Sequence, residues 1–538
     1  MRQKRKWLTG GSAFALSAAL LAGCGGTAAN GTNQGDAGGQ PGAQQSAKPA
    51  KALELTWMRY EHPSQALVAD SAVVQEIQKR KQVKLNLQSV PQSNYDDKKK
   101  TLISTNTIPD VLLVKQEDIQ NFADSGVFLD LTPYLDKMPN FKKIMQEHPE
   151  INKNKLDGKL YGFPLVSRWG MQGGQMPTIR KDVLAQVNMK APATYEELYQ
   201  VLKKMKEAYP DSYPYTARGA NGLTATENLI NPVAFGFGSG YTNPTGAKVY
   251  YDPAEKKYKF GPSSPEFKEA IVYLRKLYKE KLLDPDYVTA TSQIWQEKLS
   301  SGKSMFFIDN FGFASSFNLT LHKKDPNAQF TVLSTMASDK GVKRSLLYQL
   351  DHLGESYVIN AKAKNVDELV SFIDWLYGPE GTDLTSFGVE NADYTKVNGE
   401  YKISDTALNK YKDKPDPVRT MQSALGTGYL GLALNTDDHP GLSFPTPQDT
   451  IAWNEAVLKE WKDGTAFRQY FDPPFNKEER EKLKQVRTQL DSYIAQTMDK
   501  FIMTEGALND WNSFVQQAKA KGADELVNIY NTALARVN

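Results

Sequence analysis

Cysteine is all but missing from this chain: 538 residues contain one, Cys24. Intrachain disulfides and thiolate metal sites are thereby excluded. Histidine is scarce as well, and His62, His148, His322, His352 and His439 are scattered without metal-ligand spacing. No H-E-x-x-H, no G-x-x-x-x-G-K-[ST], no G-x-S-x-G and no strand-linked G-x-G-x-x-G is present. An excess of one charge is lacking too. Lys+Arg total 65 against 62 Asp+Glu, so nothing selects a polyanion such as nucleic acid as partner. Beyond the first residues no run approaches the ~18 uninterrupted apolar residues of a membrane-spanning helix.

What is present begins at the amino end. Arg2, Lys4, Arg5 and Lys6 precede an apolar stretch, Ala13 to Ala22, that ends in small residues before Cys24. This is the layout of a secretory signal peptide, residues 1–23. Its removal takes the formal charge from +3 to −1, because it carries four cations and no acid. Leu21-Ala22-Gly23-Cys24 resembles the bacterial lipobox, whose cysteine is acylated. Two acyl chains anchor a protein stably where one does so only marginally, so Cys24 is the expected lipidation site and the membrane is reached through the lipid alone. Residues 24–50 are Gly, Ala, Gln, Asn and Pro with no large apolar residue, the composition of a flexible tether.

From Leu53 onward strand and helix patterns alternate. Leu53–Trp57 and Val83–Leu87 read as strands on either side of a helix reaching from Gln65 to Lys81. Val111–Val114 is a buried-strand run after the turn signal Pro109-Asp110. This spacing predicts parallel α/β pairing. Helices are expected after Thr194, from Ser264-Pro265 and from Asn365, and they again fill the last 60 residues. Strands return at Met305–Ile308, Phe330–Leu333 and Ser356–Ile359. Two α/β lobes, with the chain crossing between them more than once, is the simplest arrangement. The expected division is 51–166 with 357–398 in the first lobe, and 167–356 with 399–538 in the second.

Ligands of α/β domains sit beyond the carboxyl ends of strands. Trp57, Arg59 and Tyr60 stand at such an end, as do Asn310 and Phe311, while Arg168 and Trp169 follow the Tyr161–Pro164 turn. Aromatic faces cover the C–H side of a sugar ring and planar polar groups meet its hydroxyls, so these residues are candidate sugar contacts. Trp295 is a further one, on an amphipathic stretch. Core packing is the competing role for each aromatic. The glycine run Phe235–Gly240 is no phosphate loop, and it fits either close backbone approach to a ligand or a hinge. Asp284 and Asp286 could form a carboxylate pair, but their turn context favours capping.

Several segments together resemble the family 1 extracellular solute-binding proteins of ABC importers, in their large lipoprotein (LplA/LipO-like) branch. They include Asp157–Pro164, Ile179–Asp182, Leu274–Tyr278, Asp284–Tyr287, Trp295–Leu299, Ser301–Phe307, Ser386–Glu390, Lys500–Ile502 and Asp524–Val527. The resemblance implies a two-lobed periplasmic-binding-protein-like fold of type II, each lobe a sheet flanked by helices, with several crossovers. It also implies no enzymatic activity and no cofactor. The implied role is that of a monomer at the extracellular face, which captures an oligosaccharide and delivers it to ABC permease subunits driven by an ATPase. Glu390, at the end of its segment, joins the candidate contacts. Alginate-binding relatives carry a calcium loop where this chain has Tyr209–Pro214 without the D-x-[DN]-x-[DN]-G series, so no metal is expected there. A peptide-binding transport lipoprotein and a surface glycan-degrading enzyme are the alternatives.

Overall fold

The computed structural model describes residues 52–536 apart from 64, 168–173, 221–222, 348–353, 415–416, 437–447 and 471. The signal sequence, tether and Cys24 lie outside them, as do Arg168 and Trp169.

The first body is built on a five-stranded sheet. Strand Leu53–Glu61 sits between Val83–Pro91 and Val111–Lys115, all three parallel. Glu355–Ile359 then joins Val111–Lys115 antiparallel and is itself flanked by Phe163–Pro164. The sheet is therefore mixed, because its last two strands enter from later returns of the chain. Val111 to Val114 are buried throughout, as a strand covered on both faces requires. The Gln65–Lys81 helix is shorter than its periodicity implied and spans Ala72–Lys81, with Val73, Val74 and Ile77 inward.

The second body has a smaller, antiparallel sheet: Phe306–Asn310, Gln175–Arg180 and Phe330–Val332. Helices supply most of its core. Thr194 accepts from the Glu197 amide at 3.1 Å to start Tyr195–Ala208, and Ser264 does the same for Pro265–Lys279. Leu198, Val201, Leu202 and Met205 of the first helix, and Phe267, Ile271, Leu274 and Leu277 of the second, are buried as their spacing requires. Lys477–Met503 adds Leu483, Val486, Leu490 and Ile494 to the same core.

Core membership moves one expected boundary. Leu430, Leu432 and Leu434 pack with Leu55, Trp57 and Val111 in the first body. Ala407, Tyr411, Met421 and Leu425 form a cluster against Ala72. Residues 399–434 thus pack with the first body, where the sequence division gave them to the second. Their amphipathic helices carry no sign of which sheet they cover. At the crossing, Val166-Ser167 and Asn435-Thr436 run side by side as a short parallel ribbon. Arg480 of the second body also reaches Asp124 of the first at 2.6 Å and Asp157 at 3.5 Å.

Candidate functional site

The carboxyl end of strand Leu53–Glu61 forms one wall. Arg59 is fully buried there, and its Nη1 donates to the carbonyls of Tyr429 (3.0 Å) and Gly431. It ties the returning segment 429–431 to the sheet. Tyr60 and Tyr429 both donate to Oε2 of Glu355, Tyr60 at 3.3 Å. Tyr429 is 43% exposed, so it presents an aromatic face to solvent beside that carboxylate. His62 follows, half-buried, and Gln65 donates to the Thr427 carbonyl at 3.1 Å. Arg419, on helix Pro417–Leu425, donates to Gln65 Oε1 at 3.4 Å and to Gln422 at 3.0 Å.

The facing wall belongs to the second body. Arg218 holds Asp309 with two parallel bonds of 2.9 and 3.0 Å, and donates to Ser292 at 2.9 Å. Its guanidinium packs on two rings that meet edge-on, 4.7 Å from the Trp295 centroid and 4.5 Å from that of Phe313. Such a clamp fixes a planar cation at low entropy cost.

His62 connects the two walls. Burial, together with the charges of Arg419, Arg218 and Arg59, holds its pKa down to about 4, so the ring is neutral at pH 7. Two of those arginines belong to the first body and Arg218 to the second. Arginines of both bodies thus act on one half-buried group, with the Arg218 charge shared with Asp309.

The structure places the sequence candidates unevenly. Trp57 is a core residue, 1% exposed and packed on Tyr357 at 4.7 Å between centroids. Trp295 and Phe311 are also enclosed, Trp295 edge-on to Phe307 and Phe317. Arg59 spends its bonds on main chain. These four shape the walls from behind, because the first turn beyond each strand is covered by later segments. Tyr60 and half-buried Asn310 stay at the strand ends, Asn310 accepting from the Gly312 amide at 2.9 Å. Glu390 is not brought to this place. It is exposed beside Tyr394, a ring that also feels Arg80, the last turn of helix Ala72–Lys81, at the amino end of the parallel strands.

His62, Arg218, Glu355, Arg419 and Tyr429 were missed by motif. Each is set by tertiary return of the chain; Asp309, their partner through Arg218, stands directly before Asn310. The Phe235–Gly240 run is explained by packing inside the second body: a Cβ on Gly236 would strike Tyr195, and one on Gly240 would strike Tyr250. Asp284 accepts from Lys298 at 2.6 Å and Thr216 at 3.0 Å, a buried ion pair. In the Tyr209–Pro214 turn, the Lys206 ammonium takes the carbonyls of Pro210 and Ser212. Among the described residues no cluster of three or more His, Cys, Asp or Glu could hold a metal, and no helix is long and apolar enough to cross a membrane.

Residues 63–383 match the family model of the bacterial extracellular solute-binding proteins. The chain belongs to that family. It is 27% identical over 422 residues to the polygalacturonan/rhamnogalacturonan-binding protein YtcQ of Bacillus subtilis, covering 76% of this chain and 78% of the relative. It is 24% identical over 424 residues to lipoprotein LipO of the same organism, 76% of each chain. Among solved structures it is similar to the alginate-binding protein AlgQ2, with a TM-score of 0.73 at 21% identity over 90% of this chain and 98% of that one. The fold is accordingly the two-lobed α/β architecture of solute-binding proteins, and the two bodies are its lobes. By that family membership the chain is an extracellular solute-binding protein.

Proposed function

We propose that this solute-binding protein, anchored outside the cell through acylated Cys24, captures an acidic oligosaccharide between its lobes and delivers it to an ABC importer. The observation that carries the reading is the convergence of Arg59, Arg419 and Arg218, from both lobes, on His62. A ligand that touches both walls favours the closed arrangement by its differential contact with the two states. A carboxylated sugar suits cations on either wall, while exposed Tyr429 offers a ring face. The name of YtcQ, a binder of galacturonate-containing polysaccharide, supports the same class. The proposed contacts are Tyr60, His62, Arg218, Asn310, Arg419 and Tyr429, and Arg168 and Trp169, outside the described residues, are kept as candidates.

A thermal-shift screen tests this. Ligands that bind only the native state raise the melting temperature once their concentration passes the dissociation constant. Oligogalacturonides are expected to raise it, and to be recovered uncleaved. A shift with peptides alone, or a cleaved sugar, contradicts the proposal. The anchor is tested separately: Cys24→Ala should release the protein from the membrane into the medium.

A further inference from the structure

A recess in the second lobe takes no part in the contacts proposed above. It lies at the carboxyl end of a two-stranded parallel ribbon, Ser345–Leu347 with Ala466–Arg468, and its lining includes Asn231, Tyr251, Phe467, Arg468, Gln469 and Tyr470. Strand registers carry it to the same edge as the site. Asn310 pairs with Gln175, Gly174 bridges to Leu347, and Leu347 pairs with Arg468. Arg468 and Asn310 therefore stand on one edge of the lobe, three strand spacings apart, about 14 Å. Leu347 is followed within a few residues by Glu355 of the first lobe's sheet, so this edge lies at the lobe junction. Tyr470 stacks on Tyr251, with ring centroids 3.8 Å apart and planes at 26°, yet is 43% exposed; one face is held and the other is open. Asn231 is buried, and its Oδ1 accepts from the Tyr241 and Thr242 amides at 3.2 Å each. Those two bonds fix the amide's orientation, and its Nδ2 has no hydrogen-bond partner among the described residues. Exposed Arg468 lies 4.5 Å from the Trp461 centroid and pairs with no carboxylate among the described residues. The recess encloses about 30 Å³, a single water's share of the liquid, so it admits a hydroxyl or a carboxylate but not a ring.

We propose that this recess is a distal sugar subsite: Tyr470 carries one ring of an oligosaccharide on its open face, and an exocyclic carboxylate or hydroxyl of that ring enters toward Asn231 and Arg468. The tyrosine face covers the C–H side of the sugar, and its stack on Tyr251 holds it flat beforehand. Asn231 Nδ2 gains the acceptor it lacks, which removes the cost of a buried donor left unpaired. Arg468, already against Trp461, offers a planar fork to a carboxylate. Resting on the acidic-oligosaccharide reading above, the subsite adds a length requirement. A ligand held at Arg218 and Asn310 reaches Tyr470 only if it spans those three strand spacings. Two linked pyranose rings fall short of that span, and a chain of four covers it. The protein thus selects its ligand by chain length as well as by charge.

The test is calorimetric titration of the mature chain with α-1,4-linked galacturonate oligomers of two, three, four and five residues. Affinity should rise by about threefold to tenfold from trimer to tetramer, and little from tetramer to pentamer. The tetramer-to-trimer ratio should fall to near one in Tyr470→Ala and survive in Tyr470→Phe, which keeps the ring. Arg468→Gln should reduce it, because the carboxylate then loses its cation. A melting curve establishes that each variant is folded. A flat series from dimer to pentamer in the parent, or a ratio that persists in folded Tyr470→Ala, overturns this inference and leaves the acidic-oligosaccharide reading intact. Failure of every oligomer to bind overturns that reading, and this inference with it.

Discussion

Arg218 carries two loads at once. It is the contact proposed from the second lobe and one half of a buried pair, with side chains of Arg218 and Asp309 each 6% exposed. Removing one partner of such a pair leaves an uncompensated charge and costs about 3–5 kcal/mol. Arg218→Met is therefore expected to destabilise the protein by that order in urea denaturation. Arg218→Lys keeps the charge but not the parallel fork, and should lose less stability while still weakening ligand binding. Asp472 gives the pH counterpart. It is buried, accepts from Thr245 at 2.9 Å and Tyr530 at 2.8 Å, and burial pushes its carboxyl up to about 6, Glu117 adding to the rise and Arg487 opposing it. The native state holds that proton more tightly than the unfolded chain. Stability therefore falls as pH rises through 6, and is regained as pH drops toward the ordinary carboxylate value. The difference between pH 7.5 and pH 4 amounts to about 2 kcal/mol. A pH series of melting temperatures should show this component in the parent and lack it in Asp472→Asn; identical profiles contradict the assignment.

At the scale of elements, much was legible. Periodicity found the helix Pro265–Lys279 and its inward face because burial, cap residue and spacing agree there, with Ser264 bonded to the Phe267 amide. The run Val111–Val114 was equally plain, since a strand covered on both faces admits few polar residues. Pairing was less so. The antiparallel entry of Glu355–Ile359 depends on the chain's route through the other lobe, and a strand's own sequence does not encode its partner's direction. The same limit hid most of the site. Arg218 and Arg419 sit 156 and 357 positions after His62 in the chain, so no local spacing relates them. Two aromatic candidates, Trp57 and Trp295, are buried for one reason: both are large enough to serve as core. The glycine run carries its own prediction. Gly240 lies where a Cβ would stand 2.3 Å from the Tyr250 ring, in a well-packed core. Gly240→Ala should cost about 1–3 kcal/mol through overpacking, read as a lowered unfolding midpoint.

For the whole molecule, the question is how the lobes communicate. Besides the ribbon of Val166-Ser167 with Asn435-Thr436, the described residues show Arg480 fastened to Asp124 and Asp157 across the lobes. Both carboxylates are about half exposed, so each contact is worth about 0–1 kcal/mol. A loss of 1 kcal/mol is about a fivefold change in an equilibrium constant. Arg480→Gln should accordingly loosen the ligand-free protein in small-angle scattering and reduce ligand affinity by up to about fivefold. Unchanged scattering and unchanged affinity would assign Arg480 to local packing around Phe475, whose carbonyl it also binds at 2.8 Å.

The most direct measurement is a crystal structure with bound trigalacturonate. The account predicts sugar density between the lobes, with carboxylates near His62 and within reach of both Arg419 and Arg218, and a ring beside Tyr429. Density touching one lobe alone would contradict it. So would density in the recess beside Tyr213 and Tyr278, at the other end of strand Phe306–Asn310.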